Sequence, residues 1–234
     1  MSESSEVAAA RPRCSRFRRG MPSLHTIGIV SPAQRLLTVW PTQSLTHGTC
    51  AMIPIENTED RFGAVAILFH WSMAVLIIGL LALGLYMVRL PDAGFDTKKI
   101  MLILYHKEIG LSVLVLLVVR LAWRLTQILP QLVDHLPDWQ KIAARFVHLS
   151  FYALMFALPV TGWLMSSAAG INVSFFGLFT LPDFLPHDDD LFRQLIVIHK
   201  WLGYALILFI CVHMSAALMH HFVLKDDTLR RMLP

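Results

Sequence analysis

The chain predicts an all-α fold: an integral membrane four-helix bundle. Three observations predict it. First, 56% of the 234 residues are hydrophobic and only 15% are charged, with a mean hydropathy of +0.58, a balance too apolar for an ordinary soluble domain. Second, four apolar segments each approach the roughly 20 residues that cross a bilayer. Third, histidines recur inside those segments, with His199 and His213 fourteen residues apart in one of them. Fourteen helical residues rise about 21 Å and turn back to within about 40° of the starting face. One helix then presents two imidazoles to the same side near opposite edges of a membrane core about 30 Å thick.

The elements follow in order. Ala64 to Val88 holds 25 residues and one ionisable group, His70, and reads as the first span. About Ile100 to Trp123 reads as the second, with His106, Lys107, Glu108 and Arg120 near its ends, where long side chains reach the interface. About Phe146 to Ser166 reads as the third, with His148 near its start and Pro159 inside it; the proline predicts a kink. About Leu195 to Phe222 is the fourth. Connections are expected at Arg89 to Lys99, Leu125 to Arg145 and Ala169 to Arg193, the last mixing aromatics with Asp183, Asp188, Asp189 and Asp190 and lying at the interface. No internal repeat is visible.

A net charge of +4 and a pI near 9.2 do not indicate nucleic acid. Seven of the 20 basic residues precede residue 62 and most others flank apolar segments, which follows the positive-inside rule. Arg61, Arg124, Lys141, Arg145, Lys225, Arg230 and Arg231 form the inner set, against Arg89, Lys98, Lys99 and Arg193 outside. Both termini are expected in the cytoplasm, with membrane lipid as the first partner. Cys14, Cys50 and Cys211 have no metal-ligand spacing, and there is no C-x-x-C-H. Residues 1 to 57 are read as a disordered basic extension and 58 to 234 as the membrane domain. Met52 opens a natural polar lead into the first span, so translation is expected to start there; a real basic tail is the alternative.

Depth pairs the histidines. With the termini inside, His70 and His213 fall near the inner edge, and His106 and His199 near the outer edge. Each pair could supply two axial nitrogens to one haem iron, an arrangement suited to electron transfer because both coordination positions are filled. Four residues after each, on the same helical face, stand Ala74, Gly110, Gly203 and Ala217. Small side chains there let a flat porphyrin approach, although they also serve ordinary helix contacts. Packing histidines satisfied by backbone are the bland alternative, and a non-haem metal is another, which would need ligands gathered at one depth.

His148 has several readings: a bond to a propionate or quinone, an interfacial position, or ligation in place of His70. His220 and His221 read as interfacial. Arg120, fourteen residues after His106, and Arg124 one turn later could clamp propionates or anchor the inner edge. Lys98, Lys99, Lys107, Arg193 and Lys200 could draw in a small anion or be solvated interface charges.

These stretches resemble the bacterial cytochrome b561 family: "ILFHW" at His70, "HKEIGLSVLVLLVVRLAWRL" from His106, "HLSFYALMFALPVTGWLM" from His148, "HKWLGYALILFICVHMSAALMHH" from His199, and the ending "KDDTLRRMLP". The resemblance covers about residues 58 to 234. It implies two b haems whose four axial ligands map onto His70, His106, His199 and His213. It also implies one of two activities. Some family members resemble superoxide oxidases, passing an electron from superoxide through both haems to ubiquinone. Related members serve as cytochrome b subunits that relay electrons between a hydrogenase or other dehydrogenase and quinone, docking a redox partner protein.

Overall fold

The computed structural model describes residues 54–91, 97–130 and 137–233. Four helices make up the fold: α1 (Ala64–Met87), α2 (Thr97–Thr126), α3 (Asp138–Ala168) and α4 (Asp189–Met219). Helix α1 packs on α2, α2 on α3, and α3 on α4. All four are long and apolar enough to cross a membrane. Only 11% of each span's most apolar window is buried within the protein, so most of the apolar surface faces outward, the reverse of a soluble bundle. The small buried core consists of Met73, Val113, Leu117 and Met155, where α1, α2 and α3 meet.

Three helices begin or end beyond their apolar windows. Helix α3 starts at Asp138, not near Phe146, because its polar first two turns continue the same helix outside the apolar stretch. Helix α4 starts at Asp189, inside the stretch expected to be loop. Asp188 caps it by accepting from the N–H groups of Asp190 and Leu191 at 2.9 and 3.0 Å, and Asp189 and Asp190 put negative charge at the positive end of the helix. Helix α2 runs on to Thr126. Hydropathy locates the stretch that meets lipid, whereas caps set the helix ends. Helix α3 continues through Pro159 as one helix.

The α3–α4 connection carries a small hairpin, β1 (Ser174–Phe175) and β2 (Phe179–Thr180), with Ser174 opposite Thr180 and Phe175 opposite Phe179. Its tip needs left-handed backbone at Phe176 and Gly177; glycine adopts this freely, and Phe176 is held there by the closed turn. The connection is tied to α3 by His187, which donates from Nδ1 to the Ala168 carbonyl at 3.0 Å.

At the other end, Pro54–Asn57 belong to the folded part, although they were grouped with the extension. Asn57 donates its backbone N–H to Gln127 Oε1 and its amide to the Ile128 carbonyl, and accepts from Gly63 N–H. A Cβ on Gly63 would collide with the Ile55 and Glu56 carbonyls, so only glycine allows this lead to fold against the start of α1. The expected start at Met52, Cys14, Cys50 and the rest of the extension lie outside the described residues, as does His135. After α4 the chain passes through a π-helical turn (His220–Leu224), reverses at Lys225 in the left-handed region, and ends in a 3-10 turn (Arg230–Met232).

Candidate functional site

The four expected histidines lie with rings facing across the helices, and His148 lies nearer to His213 than His70 does. His70 of α1 faces His213 of α4 with ring centroids 6.2 Å apart, and His106 of α2 faces His199 of α4 at 6.3 Å. All four rings are half-buried. Because adjacent helices alternate in direction, His70 and His213 lie toward the end of the bundle that holds the start of α1 and the end of α4. We call this the terminal level, and the His106–His199 pair the loop level. Along α4 the two are separated by fourteen residues, about 21 Å.

At the loop level one hydroxyl holds the His199 ring, and glycine backbone approaches both rings. Thr161 donates its hydroxyl to the Leu158 carbonyl at 2.9 Å, and its Oγ1 lies 3.0 Å from His199 Nδ1. The hydroxyl hydrogen is spent on the carbonyl, so Nδ1–H of His199 is the donor in the second bond. Nε2 of His199 then carries the lone pair that a metal would take. A Cβ on Gly84 would sit 3.5 Å from His106 Cε1, and one on Gly162 would sit 3.5 Å from His199 Cε1. These glycines let α1 and α3 approach the rings. His106 Nδ1 is buried with no hydrogen-bond partner.

The terminal level is lined by side chains. The Phe151 ring stands edge-on to His213 at 5.4 Å, and His148 lies 5.6 Å from the same ring. His148 donates from Nδ1 to the Ala144 carbonyl at 2.6 Å, leaving its Nε2 as the nitrogen with a lone pair. Trp71 packs on His70 at 5.3 Å and donates from its indole N–H to the Met232 carbonyl at 2.8 Å, which ties the end of the chain to α1. Arg120, half-buried, reaches Met73 Sδ at 3.8 Å, one turn from His70. Arg124 is exposed and lies over the Tyr152 ring at 5.8 Å.

Of the four small residues expected beside the histidines, Gly110 and Gly203 face open space: a Cβ added to either would meet no atom within 4 Å. Several of the basic residues of the loop end have partners of their own. Lys98 bonds Tyr86 Oη at 3.0 Å, Lys99 bonds the Leu90 carbonyl at 3.3 Å, and Arg193 pairs with Asp190. Lys107 is half-buried and Lys200 exposed. Among the described residues, no group of three or more His, Cys, Asp or Glu gathers as a metal cage.

Gly84, Gly162, Thr161 and Phe151 escaped the sequence reading. Two of them had a signal there: Gly84 stands fourteen residues after His70 and Gly162 fourteen after His148, the spacing that links His199 to His213.

Four membrane-crossing helices with imidazoles facing in pairs at two levels define a polytopic membrane protein of the redox-carrier type. Comparison with known sequences narrows this. The profile of the family described as prokaryotic cytochrome b561 matches residues 61–234. The chain is 36% identical over 179 residues to cytochrome b561 homolog 2 of Escherichia coli strain K12, covering 76% of this chain and 93% of that protein. It is 31% identical over 178 residues to cytochrome b561 homolog 1 of the same organism, covering 75% and 98%. It is 29% identical over 180 residues to the probable superoxide oxidase CybB of Yersinia pestis, covering 75% and 97%. The chain belongs to the prokaryotic cytochrome b561 family. It is therefore a bacterial membrane protein of a b-type haem, electron-transferring class.

Proposed function

We propose that this protein carries electrons across the bacterial inner membrane through two b haems. His70 and His213 would hold one and His106 and His199 the other, with superoxide as donor and ubiquinone as acceptor. The observation that carries the reading is the pair of ring separations, 6.2 and 6.3 Å. Two metal–imidazole bonds of about 2 Å with a ring radius at each end span roughly 6 Å, so each pair has the spacing to hold one haem iron between its imidazoles. Gly110 and Gly203, whose faces look onto open space, fit a flat macrocycle beside the loop-level pair.

When bound, haem iron supplies one-electron chemistry, so no side-chain nucleophile or general acid is needed for that step. The residues of this chain bind and orient. Thr161 fixes the His199 tautomer, leaving Nε2 as the nitrogen that would bind a metal. Arg120 supplies a positive charge beside the terminal pair, where a propionate would be recognised through paired N–H bonds. Phe151 stands edge-on beside His213 and adds an apolar wall to that side of the pair. The net reaction converts two superoxide anions to two dioxygen molecules, while one quinone takes up two electrons and two protons to form the quinol. Superoxide as donor rests on the name of the Yersinia relative and on the basic residues of the loop end, which would face outward with both termini in the cytoplasm.

The test is a reduced-minus-oxidised visible spectrum with haem quantified against protein, followed by mixing the oxidised protein with superoxide and quinone. About two low-spin b haems per chain and quinone-dependent superoxide consumption are expected. A colourless protein from haem-replete cells would overturn the reading. Two haems without superoxide turnover would favour the relay role between a dehydrogenase and quinone.

A further inference from the structure

The end of α4 holds a feature that electron transfer does not use. A cavity of about 270 Å³ is walled by His221 and Phe222 of the π-helical turn, by Lys225 and Asp226 at the reversal, and by Arg230 of the 3-10 turn. We propose that this cavity binds the phosphate headgroup of an anionic phospholipid, with Lys225 and Arg230 as its cationic contacts.

Position comes first. The cavity lies where the α4 span, which ends at Leu224, gives way to polar chain, the depth at which lipid headgroups sit. Phe222, Val223 and Leu224 are exposed by 67%, 71% and 49%, and so offer acyl chains an apolar wall directly beside the cationic one. The volume is below the roughly 300–1,000 Å³ of pockets that enclose a whole small molecule; it suits a headgroup whose tails remain in the bilayer.

Charge comes second. The one acid in the wall, Asp226, is turned inward. Its Oδ2 takes the His220 Nδ1–H at 2.5 Å and its Oδ1 takes the Thr228 N–H at 2.9 Å. Both carboxylate oxygens thus bond within the strap formed by the reversal and the turn that follows it, His220 to Met232. The negative end of α4 would otherwise oppose an anion. Here the His220 carbonyl is taken up by the N–H groups of Lys225 and Asp226. Lys225, in the left-handed conformation with φ 55°, and Arg230 both line the cavity; Arg230 also pairs with Asp227 at 3.4 Å, an exposed contact that a headgroup phosphate would share or displace. Basic pockets at helix ends near the membrane surface recognise anionic headgroups in this way, each cation contributing a modest share.

The test uses the intact holoprotein, delipidated in a neutral detergent. Phosphatidylglycerol, phosphatidylcholine or inorganic phosphate is titrated while thermal unfolding and retained lipid (native mass spectrometry) are recorded. Phosphatidylglycerol is expected to raise the Tm by several degrees and to remain bound, with phosphatidylcholine and phosphate doing neither. The double variant Lys225→Asn, Arg230→Gln is expected to bind phosphatidylglycerol roughly 10- to 30-fold more weakly. Asparagine tolerates the left-handed backbone at 225, and Lys225→Asn alone serves if the double variant does not fold. Equal phosphatidylglycerol binding by wild type and variant would overturn the site. So would an equal response to phosphatidylcholine, or full reproduction of the effect by inorganic phosphate, which would make the cavity a small-anion site and not a lipid site. Haem content is read in parallel, so loss of the lipid effect in a two-haem protein is distinguishable from failure of the haem reading.

Discussion

At the loop level, one hydroxyl holds His199, and glycine backbone approaches both His106 and His199: Gly84 and Gly162 bring helices against the rings, and Thr161 fixes a tautomer. At the terminal level, His70 and His213 are surrounded by other side chains, with a third imidazole, an aromatic edge, an indole and a guanidinium close by. The same pair of donors thus sits in two environments. With the ligands the same at both levels, burial, hydrogen bonding and local charge are left to set the difference between two haem potentials. The comparison therefore assigns the loop level its precision of placement and the terminal level its adjustable charge.

The largest effect should come from removing one ligand of each pair. His199→Ala should lower haem content from about two per chain to about one, and the lost component should be the loop-level one. His213→Ala should remove the other. Potentiometric titration of the α-band separates the two components. Loss of the same component from both variants would break the pairing and with it the comparison.

Next in size are the supports of the loop level. Thr161→Val keeps the shape and removes the acceptor for His199 Nδ1. Loss of such an outer-shell partner typically lowers metal-site affinity by 10- to 100-fold, so haem should leave the loop level first during dilution into apomyoglobin, with the terminal level unchanged. Gly162→Ala should be mild, since its Cβ would meet His199 Cε1 at an ordinary 3.5 Å, whereas Gly162→Leu should disturb the ring at an overpacking cost of about 1–3 kcal/mol. If Gly162→Leu altered only the terminal spectrum, the grip assigned to the loop level would be misplaced.

How much of this was legible follows from which signals are periodic. The four spans, their order and the two histidine pairs follow from hydropathy and from a fourteen-residue spacing that returns to one helical face. The starts of α3 at Asp138 and α4 at Asp189 did not show, because polar caps extend a helix past its apolar window. Gly84 and Gly162 stand at the same fourteen-residue interval, from His70 and His148, and would have appeared had the spacing been followed from those two histidines as it was from His106 and His199. Thr161 carries no pattern. Its role depends on how close α3 lies to α4, and a one-dimensional string does not contain that distance. The ending "KDDTLRRMLP" was visible as a motif, but its fold back onto Trp71 rests on a bond between residues 161 positions apart.

The charge of the terminal level gives a smaller, more specific effect. Arg120, which reaches Met73 Sδ one turn along α1 from His70, would stabilise the reduced, less positive state of an iron held there. Arg120→Gln should lower the terminal-level midpoint potential on the order of 50 mV, given that about 59 mV is a tenfold change for one electron. The loop-level potential, roughly 21 Å away along the helix, should move little. Equal shifts of both components would show that the guanidinium acts through the whole bundle and not on its own level.

The smallest effect is expected at the strap that closes the terminal end. Burial alone would raise the Asp226 carboxyl, but the hydrogen bonds from His220 and Thr228 prevail and hold it below the usual carboxylate range. A carboxyl depressed in the folded state adds stability that is fully present above its unfolded pKa, about 3.9, and is lost as pH falls through the folded value. The strap should therefore hold through neutral and mildly acidic pH and loosen only in stronger acid. Trp71 reports this directly, because its indole bonds the Met232 carbonyl. Its emission should shift toward that of a wetter indole as pH drops below about 4, in a transition that Asp226→Asn removes. An unchanged transition in Asp226→Asn would leave the strap held by Trp71 and apolar contact alone, and would show that the extra side chains around the terminal level do not depend on that carboxylate for their placement.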